Sequence, residues 1–126
     1  MTKVILSEDC GNSPKNIFLT KLTTAFAKGD SKFLLGSVTD DIRWNIVGDK
    51  VIAGKDRFAE ALKQMKDDKA AALTIDHVAT HGKAGAVNGT TSFKNGKARA
   101  FCDVYEFSNA KGTVIKEITS YRIEIK

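Results

Sequence analysis

The sequence is poor in the residues that build specialised scaffolds. Its 126 residues include one proline, two cysteines and two histidines. Two cysteines far apart in sequence, Cys10 and Cys102, do not make a disulfide framework, so we expect two reduced thiols. No apolar run approaches the roughly 18 residues that a membrane span needs, and Val4-Ile5-Leu6 is too short for a secretory signal. We therefore predict a cytoplasmic protein with no membrane segment.

The remaining composition is typical of one globular domain, with 42% apolar and 28% charged residues. A chain of this length buries about two-thirds of its unfolded surface on folding, which is enough for one core. The net charge of +5 comes mostly from lysines that alternate with acidic residues, as between residues 63 and 69. Proteins that read nucleic acids concentrate positive charge on one face and favour arginine. We therefore expect no nucleic-acid partner.

Three helices are predicted in the amino-terminal half. Residues 1–12 show no periodicity and are predicted to form a flexible leader, so that residues 13–126 make the single domain. Ser13-Pro14 is typical of a helix cap followed by the first helical residue, and Lys28-Gly29 of a helix end. Asp30 can cap a second, short helix. A third amphipathic helix is predicted from Lys55 to Lys66.

Strands are predicted wherever the apolar period changes to two. They are a strand from Val38 that closes at Gly48-Asp49, and the runs 51–53, 73–81, 84–93, 98–107 and 113–125. Asn95-Gly96 is a strong signal for a short hairpin. Helices followed by an antiparallel meander predict an α+β fold in which the helices cover one face of the sheet.

The run from Arg99 to Phe107 has two apolar faces. Alternation places Phe101, Asp103, Tyr105 and Phe107 on one face, and Ala100, Cys102 and Val104 on the other. One helical layer can cover only one of these faces. Because an exposed apolar patch usually marks an interface, we predict a homodimer formed through Ala100, Cys102 and Val104.

Several segments resemble a known superfamily, in the expected order of elements. They are Ala27-Lys28-Gly29-Asp30, Val38-Thr39-Asp40-Asp41-Ile42, Gly54-Lys55-Asp56, Cys102-Asp103-Val104-Tyr105-Glu106-Phe107 and Lys116-Glu117-Ile118-Thr119-Ser120-Tyr121. The chain resembles the nuclear transport factor 2-like superfamily, which includes SnoaL-like polyketide cyclases and ketosteroid isomerases. The resemblance implies a cone-shaped fold with a curved antiparallel sheet, a pocket between the helices and the concave face, and dimerisation through the convex face.

The resemblance does not extend to isomerase activity. The position that matches the isomerases' carboxylate base is Ile46, which cannot accept a proton, and their oxyanion tyrosine matches Leu22. Only the carboxylic acid of the third isomerase site has a match, at Asp103. We therefore expect no ketosteroid isomerase activity.

Asp103 and Glu117 are the candidate catalytic residues. Asp103 shares its face with aromatic side chains, so desolvation should raise its pKa and make it a neutral acid or a poised base. Alternatively, it only hydrogen-bonds Tyr105, Tyr121 or the backbone. Glu117 falls on the same side of its strand as Tyr121. If that is the cavity side, the two carboxylates could divide acid and base roles; otherwise Glu117 pairs with a basic residue at the rim.

We predict that the pocket is lined by aromatic rings and one imidazole. The faces of aromatic rings pack well against flat apolar molecules. The candidates are Phe26, Trp44, His77, Phe101, Tyr105 and Tyr121. His77 and His81 have metal-ligand spacing for a helix, but on a strand they would be about 13 Å apart, too far for one zinc ion. We therefore expect no metal. The sequence contains no phosphate-binding loop and no nucleophile motif, so we also expect no cofactor.

Two functions remain consistent with these features. The first is a homodimeric protein that binds a small apolar or aromatic compound near Asp103, with cofactor-free acid-base catalysis such as isomerisation, cyclisation or hydration. The second is a non-catalytic dimeric binding or interaction module with a vestigial pocket, since the fold alone does not choose between them.

Overall fold

A computed structural model of the protein describes residues 2–65, 69–109 and 113–125. Its helices are α1 (Pro14–Lys28), α2 (Ser31–Leu35) and α3 (Lys55–Gln64), preceded by a single 3-10 turn at Glu8–Cys10. Its strands are β1 (Lys3–Leu6), β2 (Val38–Ile46), β3 (Lys50–Ala53), β4 (Ala72–His81), β5 (Ala84–Ser92), β6 (Ala98–Phe107) and β7 (Ile115–Ile125). Within the described residues, no helix combines the length and the apolar character of a membrane span.

The caps confirm both predicted ends of α1 and the predicted start of α2. The Ser13 hydroxyl accepts a hydrogen bond from the Asn16 N–H at 3.2 Å, and Gly29 ends α1 with a φ of 74° that favours glycine. The Asp30 carboxylate accepts from the Phe33 N–H at the start of α2. Helix α3 begins at Lys55 as predicted and ends at Gln64. The predicted end, Lys66, is two residues later and lies outside the described segments.

The seven strands form one sheet in the order β1-β4-β5-β6-β7-β2-β3. The predicted α+β class is confirmed, and β4 to β7 form the predicted antiparallel meander. The sheet as a whole is mixed, because β1 runs parallel to β4 and β2 runs parallel to β7. The prediction of a wholly antiparallel sheet is wrong at these two pairs. Alternation has the same period in both kinds of pairing, so it does not encode strand direction.

Strand β1 lies in the segment that we expected to be a flexible leader. Residues 3–6 pair with residues 72–75 of β4, and the Thr2 hydroxyl donates to the Ala70 carbonyl at 2.7 Å. The Ser7 N–H donates to the Ile75 carbonyl at 3.0 Å. The leader prediction is therefore corrected for residues 3–10. Four residues are too few to show a period, and the hydrogen bonds that order them come from a strand distant in sequence.

All three helices lie on one face of the sheet, which we call the inner face; the opposite side is the outer face. The ring of Phe26 on α1 lies 5.3 Å from that of Trp44 on β2, and Phe58 on α3 lies 5.6 Å from the same ring. Leu19 of α1 packs on Gly85 of β5, where a side chain would clash with it. The hydrophobic core fills this layer between the helices and the inner face.

Candidate functional site

Strand β6 presents its two sets of side chains as predicted. Its inner-face residues are buried: Phe101, Asp103, Tyr105 and Phe107. Its outer-face residues Ala100, Cys102 and Val104 are more exposed. Asp103 is only 7% exposed and lies directly opposite Ser120 of β7. A carboxyl group is thereby held inside the layer that contains the core.

Ser120 connects Asp103 to the single tryptophan. The indole Nε1 of Trp44 donates to Ser120 Oγ at 2.9 Å. An indole N–H can only donate, so the serine oxygen accepts this bond and its own proton is available for the Asp103 carboxylate, to which Ser120 hydrogen-bonds. Within the described part of the chain, the other carboxyl oxygen, Oδ1, is buried and has no hydrogen-bond partner. One oxygen of Asp103 is therefore anchored and the other is available.

Burial raises the pKa of Asp103 above its ordinary value. The hydrogen bond from Ser120 and the positive charge of Arg122 lower this pKa, but burial has the larger effect. Burial, and next the Asp103 charge, also raise the pKa of Tyr105 well above its ordinary value. The Tyr105 hydroxyl, 3.4 Å from Thr23 Oγ1, therefore remains protonated at neutral pH. Both inner-face groups favour their neutral forms.

A cavity of about 120 Å³ lies between the three helices and the inner face. Much of its wall is apolar and includes Phe26, Leu62, Met65, Leu73 and Phe101. Its polar wall includes Thr23, Arg99, Asp103 and Arg122. A mainly apolar cavity with a few convergent polar groups is typical of a site that binds a small molecule.

The two arginines in the cavity wall were missed by the sequence analysis. The guanidinium carbon of Arg122 lies 5.6 Å from the centroid of the Trp44 ring, and that of Arg99 lies 4.9 Å from the Phe93 ring. Arg99 occupies an odd position of β6, like Asp103, so alternation alone could have assigned it to the inner face. Arg122 could not be assigned in this way, because the period of β7 is interrupted.

A β-bulge in β7 reverses the predicted faces of that strand. Phe107 pairs with Ile115 but Glu106 pairs with Glu117, so β7 contains an extra residue. Beyond it, the buried inner positions are Ile118 and Ser120. The expectation that Glu117 and Tyr121 face the cavity is therefore wrong.

Both misassigned residues of β7 lie on the outer face. Glu117 Oε1 is 3.9 Å from Arg43 Nε, which is the rim ion pair that we considered as the alternative. Tyr121 lies opposite Cys102 and is 48% exposed. Neither side chain lines the cavity that contains Asp103.

A second bulge, in β4, turns His77 away from the cavity. Ile75 pairs with Gly89 and His77 with Asn88, so Asp76 is the extra residue. Ile75 and Val78 are consequently buried, whereas His77 is exposed, with Nδ1 3.0 Å from Asn88 Oδ1. The prediction that His77 lines the pocket is wrong. Among the described residues, no three His, Cys, Asp or Glu side chains are arranged to hold a metal ion.

The other predicted pocket residues lie on the inner face. Phe26 and Phe101 line the cavity together with Asp103. Trp44 and Tyr105 are buried behind this wall, where Trp44 contacts Phe26 and Tyr105 contacts Thr23. They support the cavity wall rather than forming it.

The outer face of β6 and β7 carries apolar side chains in contact with solvent. Val104 is 40% exposed and Ile123 is 70% exposed, next to Tyr121. Ala100 and Cys102 line a shallow depression in the same face. Burial, followed by the negative charge of Asp103, raises the pKa of the Cys102 thiol. Cys102 is therefore a weak nucleophile.

Comparison with known proteins identifies relatives of the whole fold. The family model described as a SnoaL-like domain matches residues 19–116. An NTF2-like protein of unknown function from Cytophaga hutchinsonii is 30% identical, with a TM-score of 0.71 over 85% of this chain and 97% of that one. An NTF-2 like protein of unknown function from Burkholderia xenovorans is 19% identical, with a TM-score of 0.74 over 89% and 84%.

The structure of one enzyme is also similar to that of this chain, at low sequence identity. The epoxide hydrolase/cyclase-like enzyme SalBIII, which acts in pyran ring formation in the polyether salinomycin, is 16% identical, with a TM-score of 0.70 over 86% of this chain and 90% of that one. At this identity the similarity concerns the fold. No functionally curated protein matches the chain.

Proposed function

Because the chain belongs to the family of SnoaL-like domains, we propose that its cavity binds a small organic molecule and that Asp103 is the general acid or base that acts on it. The observation that carries this proposal is the state of the Asp103 carboxyl. One oxygen is held by Ser120, and the other is buried without a partner among the described residues. An unsatisfied buried polar atom is costly, and a ligand in the adjoining cavity would satisfy it.

Proton transfer by Asp103 requires no cofactor. Burial brings its pKa closer to neutrality than that of an exposed aspartate, which favours efficient acid-base catalysis. Isomerisation, cyclisation and hydration are reactions that one positioned proton donor or acceptor can accelerate. The similar fold of SalBIII, an epoxide hydrolase/cyclase-like enzyme, is consistent with this class of chemistry.

The size of the cavity limits the part of a ligand that it can enclose. An engineered protein cavity of about 150 Å³ holds one benzene molecule. The present cavity, at about 120 Å³, is comparable to one ring or a short branched chain. The cavity is partly open, and its wall includes the exposed residue Ser31, so a larger ligand could extend outward there.

A thermal-shift screen of small cyclic and branched organic compounds tests this proposal. Compounds that stabilise the wild type should stabilise the Asp103→Asn variant to a different extent. A carboxyl oxygen can lose and regain a proton, whereas the amide group of asparagine cannot. Asp41→Asn is the matched control, because Asp41 is exposed on β2. A panel in which Asp103→Asn and wild type respond identically to every stabilising compound would contradict the role of Asp103.

The alternative function is a dimeric interaction module, and the exposed apolar outer face favours it. We propose that a second copy covers this face at Val104, Tyr121 and Ile123, because contiguous exposed apolar side chains are typical of interfaces. Analytical ultracentrifugation should show a dimer that Ile123→Glu weakens, whereas Val51→Glu, at an exposed position on β3, should not. A wild type that remains monomeric at high concentration contradicts the dimer. Dimerisation together with no binding in the thermal-shift screen favours the interaction module over catalysis.

A further inference from the structure

The charge of the cavity wall restricts the chemistry of the molecule that it can hold. The charged side chains in the wall are Arg99, Asp103 and Arg122, and the remaining described wall residues are uncharged. Guanidinium groups stay protonated at every physiological pH, so the wall carries two positive charges against at most one negative charge, that of Asp103. The electrostatic potential inside the cavity is therefore positive.

Arg122 is the better placed of the two cations. It lies on β7, two residues beyond Ser120, and its guanidinium carbon lies over the Trp44 ring, 5.6 Å from the ring centroid. A cation–π contact uses the charge of the guanidinium and supplies no hydrogen-bond acceptor, so the N–H groups can still donate to one. The ion pairs among the described residues join Arg43 to Glu117, Lys55 to Asp40 and Lys116 to Glu106, and none of them includes Arg122.

A planar, half-buried guanidinium is best matched by a carboxylate, which accepts two parallel hydrogen bonds from it. The apolar part of the wall, formed by side chains such as Phe26, Leu62 and Phe101, is suited to a compact hydrocarbon body. A bound carboxylate beside Asp103 favours the protonated form of Asp103, because adjacent carboxylates repel each other, and the O–H of that form can donate to the anion. The three groups together thus form a binding site for one amphiphilic molecule.

We infer that the cavity selects a small organic acid in its carboxylate form, with the charged group on Arg122 and the hydrocarbon body against the apolar wall. This inference rests on the proposed function, because it specifies the ligand of the same cavity. It also assigns Asp103 the role of proton donor to the bound molecule.

Two matched pairs of probes test the inference: benzoate with benzamide, and hexanoate with hexanamide. Each pair has nearly the same shape and differs in charge. Binding is measured by titration calorimetry and by the fluorescence of Trp44, the single tryptophan of the chain. The wild type should bind each carboxylate roughly ten to a hundred times more tightly than its amide, as expected for hydrogen bonds to a charged group.

Substitution of Arg122 should remove this preference. Arg122→Gln is expected to bind acid and amide equally, with amide affinity close to that of the wild type. The matched control is Arg43→Gln, which removes the same charge from the outer face and should retain the preference. An equal loss in both variants would show a general charge effect and overturn the assignment to Arg122.

The remaining outcomes separate this inference from the proposed function. If the amides bind as tightly as the carboxylates, or more tightly, the inference is wrong while small-molecule binding stands. If no probe binds at millimolar concentration and the thermal-shift screen finds no ligand, both are wrong. Should Arg122→Gln fail to fold by circular dichroism, Arg122→Lys decides the question. Lysine keeps the charge without the planar fork, so the preference should fall several-fold, and an unchanged preference would contradict the paired contact.

Discussion

Each face of the β6–β7 ladder carries an exception to the usual distribution of side chains in a globular protein. The inner face buries polar groups, Asp103 and Ser120, next to the half-buried Arg122. The outer face exposes apolar groups, Val104 and Ile123. Buried polar groups and exposed apolar patches are the informative exceptions in a fold, because a buried polar atom without a partner among the described residues, such as Asp103 Oδ1, and an exposed apolar patch are both unfavourable. These two exceptions are the basis of the two proposals, a ligand on one side of the ladder and a partner chain on the other.

The largest expected loss of stability comes from substituting Gly89. This glycine lies opposite the bulge that determines which side chains of β4 face inward. A β-carbon at this position would lie far inside contact distance of the Thr74 carbonyl oxygen, which belongs to the backbone. Gly89→Ala should therefore reduce the free energy of unfolding by more than about 4 kcal/mol, measured by urea denaturation.

Gly85→Ala is the matched control for Gly89. Its new β-carbon would meet the end of the Leu19 side chain, which can move. The expected loss is about 1–3 kcal/mol. If the Gly85 and Gly89 variants were equally stable, the close backbone approach at the bulge would not be the cause.

A smaller loss is expected from Ser120→Ala on the inner face. This change removes the acceptor of the buried Trp44 N–H and the donor to Asp103. Unfolding free energy should fall by about 1–3 kcal/mol, and the pKa of Asp103 should rise further because the hydrogen bond that lowers it is lost. Denaturation and carboxyl NMR titration measure the two effects. Thr119→Ala, one residue away on the outer face, should change neither, and an equal effect there would remove the distinction between the faces.

The buried carboxyl of Asp103 gives a pH dependence of known sign. Its folded-state pKa is raised above the ordinary value of 3.8, so its contribution to stability is fully present below that pH and is lost as the pH rises through the folded pKa. Asp103→Asn should therefore gain in melting temperature relative to the wild type as the pH rises. The comparison is made by calorimetry from pH 3 to pH 8. A relative gain that shrinks with rising pH would show that Arg122 and Ser120 outweigh burial.

The smallest effect is expected from Glu117→Gln on the outer face. Its ion pair with Arg43 is half-exposed and long, so its loss should cost at most about 1 kcal/mol. Turnover or ligand binding in the cavity should be unchanged, because Glu117 does not line it. A strong effect of this variant on binding would place a functional site on the outer face.

The helices and strand β6 were predictable because their signals are local. Ser13 and Asp30 cap helices through their own side chains, and β6 alternates without interruption along its pairing with β5. The assignment of Asp103 to a buried apolar face followed directly. In β7 and β4, one extra residue shifted the alternation, and Glu117, Tyr121 and His77 were assigned to the wrong face. The apolar spacing changes from two to three at each bulge, from Ile75 to Val78 and from Ile115 to Ile118, but this change does not identify a bulge by itself, because a bulge is defined by the register with the neighbouring strand.

The sequence by itself determined the α+β class, both ends of α1, the starts of α2 and α3, and the inner-facing carboxyl, because caps and periodic patterns act between residues close in the chain. The tertiary structure decided the strand directions at β1 and β2, the faces of β4 and β7, and the meeting of Asp103, Ser120 and Arg122. These features depend on hydrogen bonds between strands far apart in sequence, whose geometry is fixed only when the whole sheet is assembled.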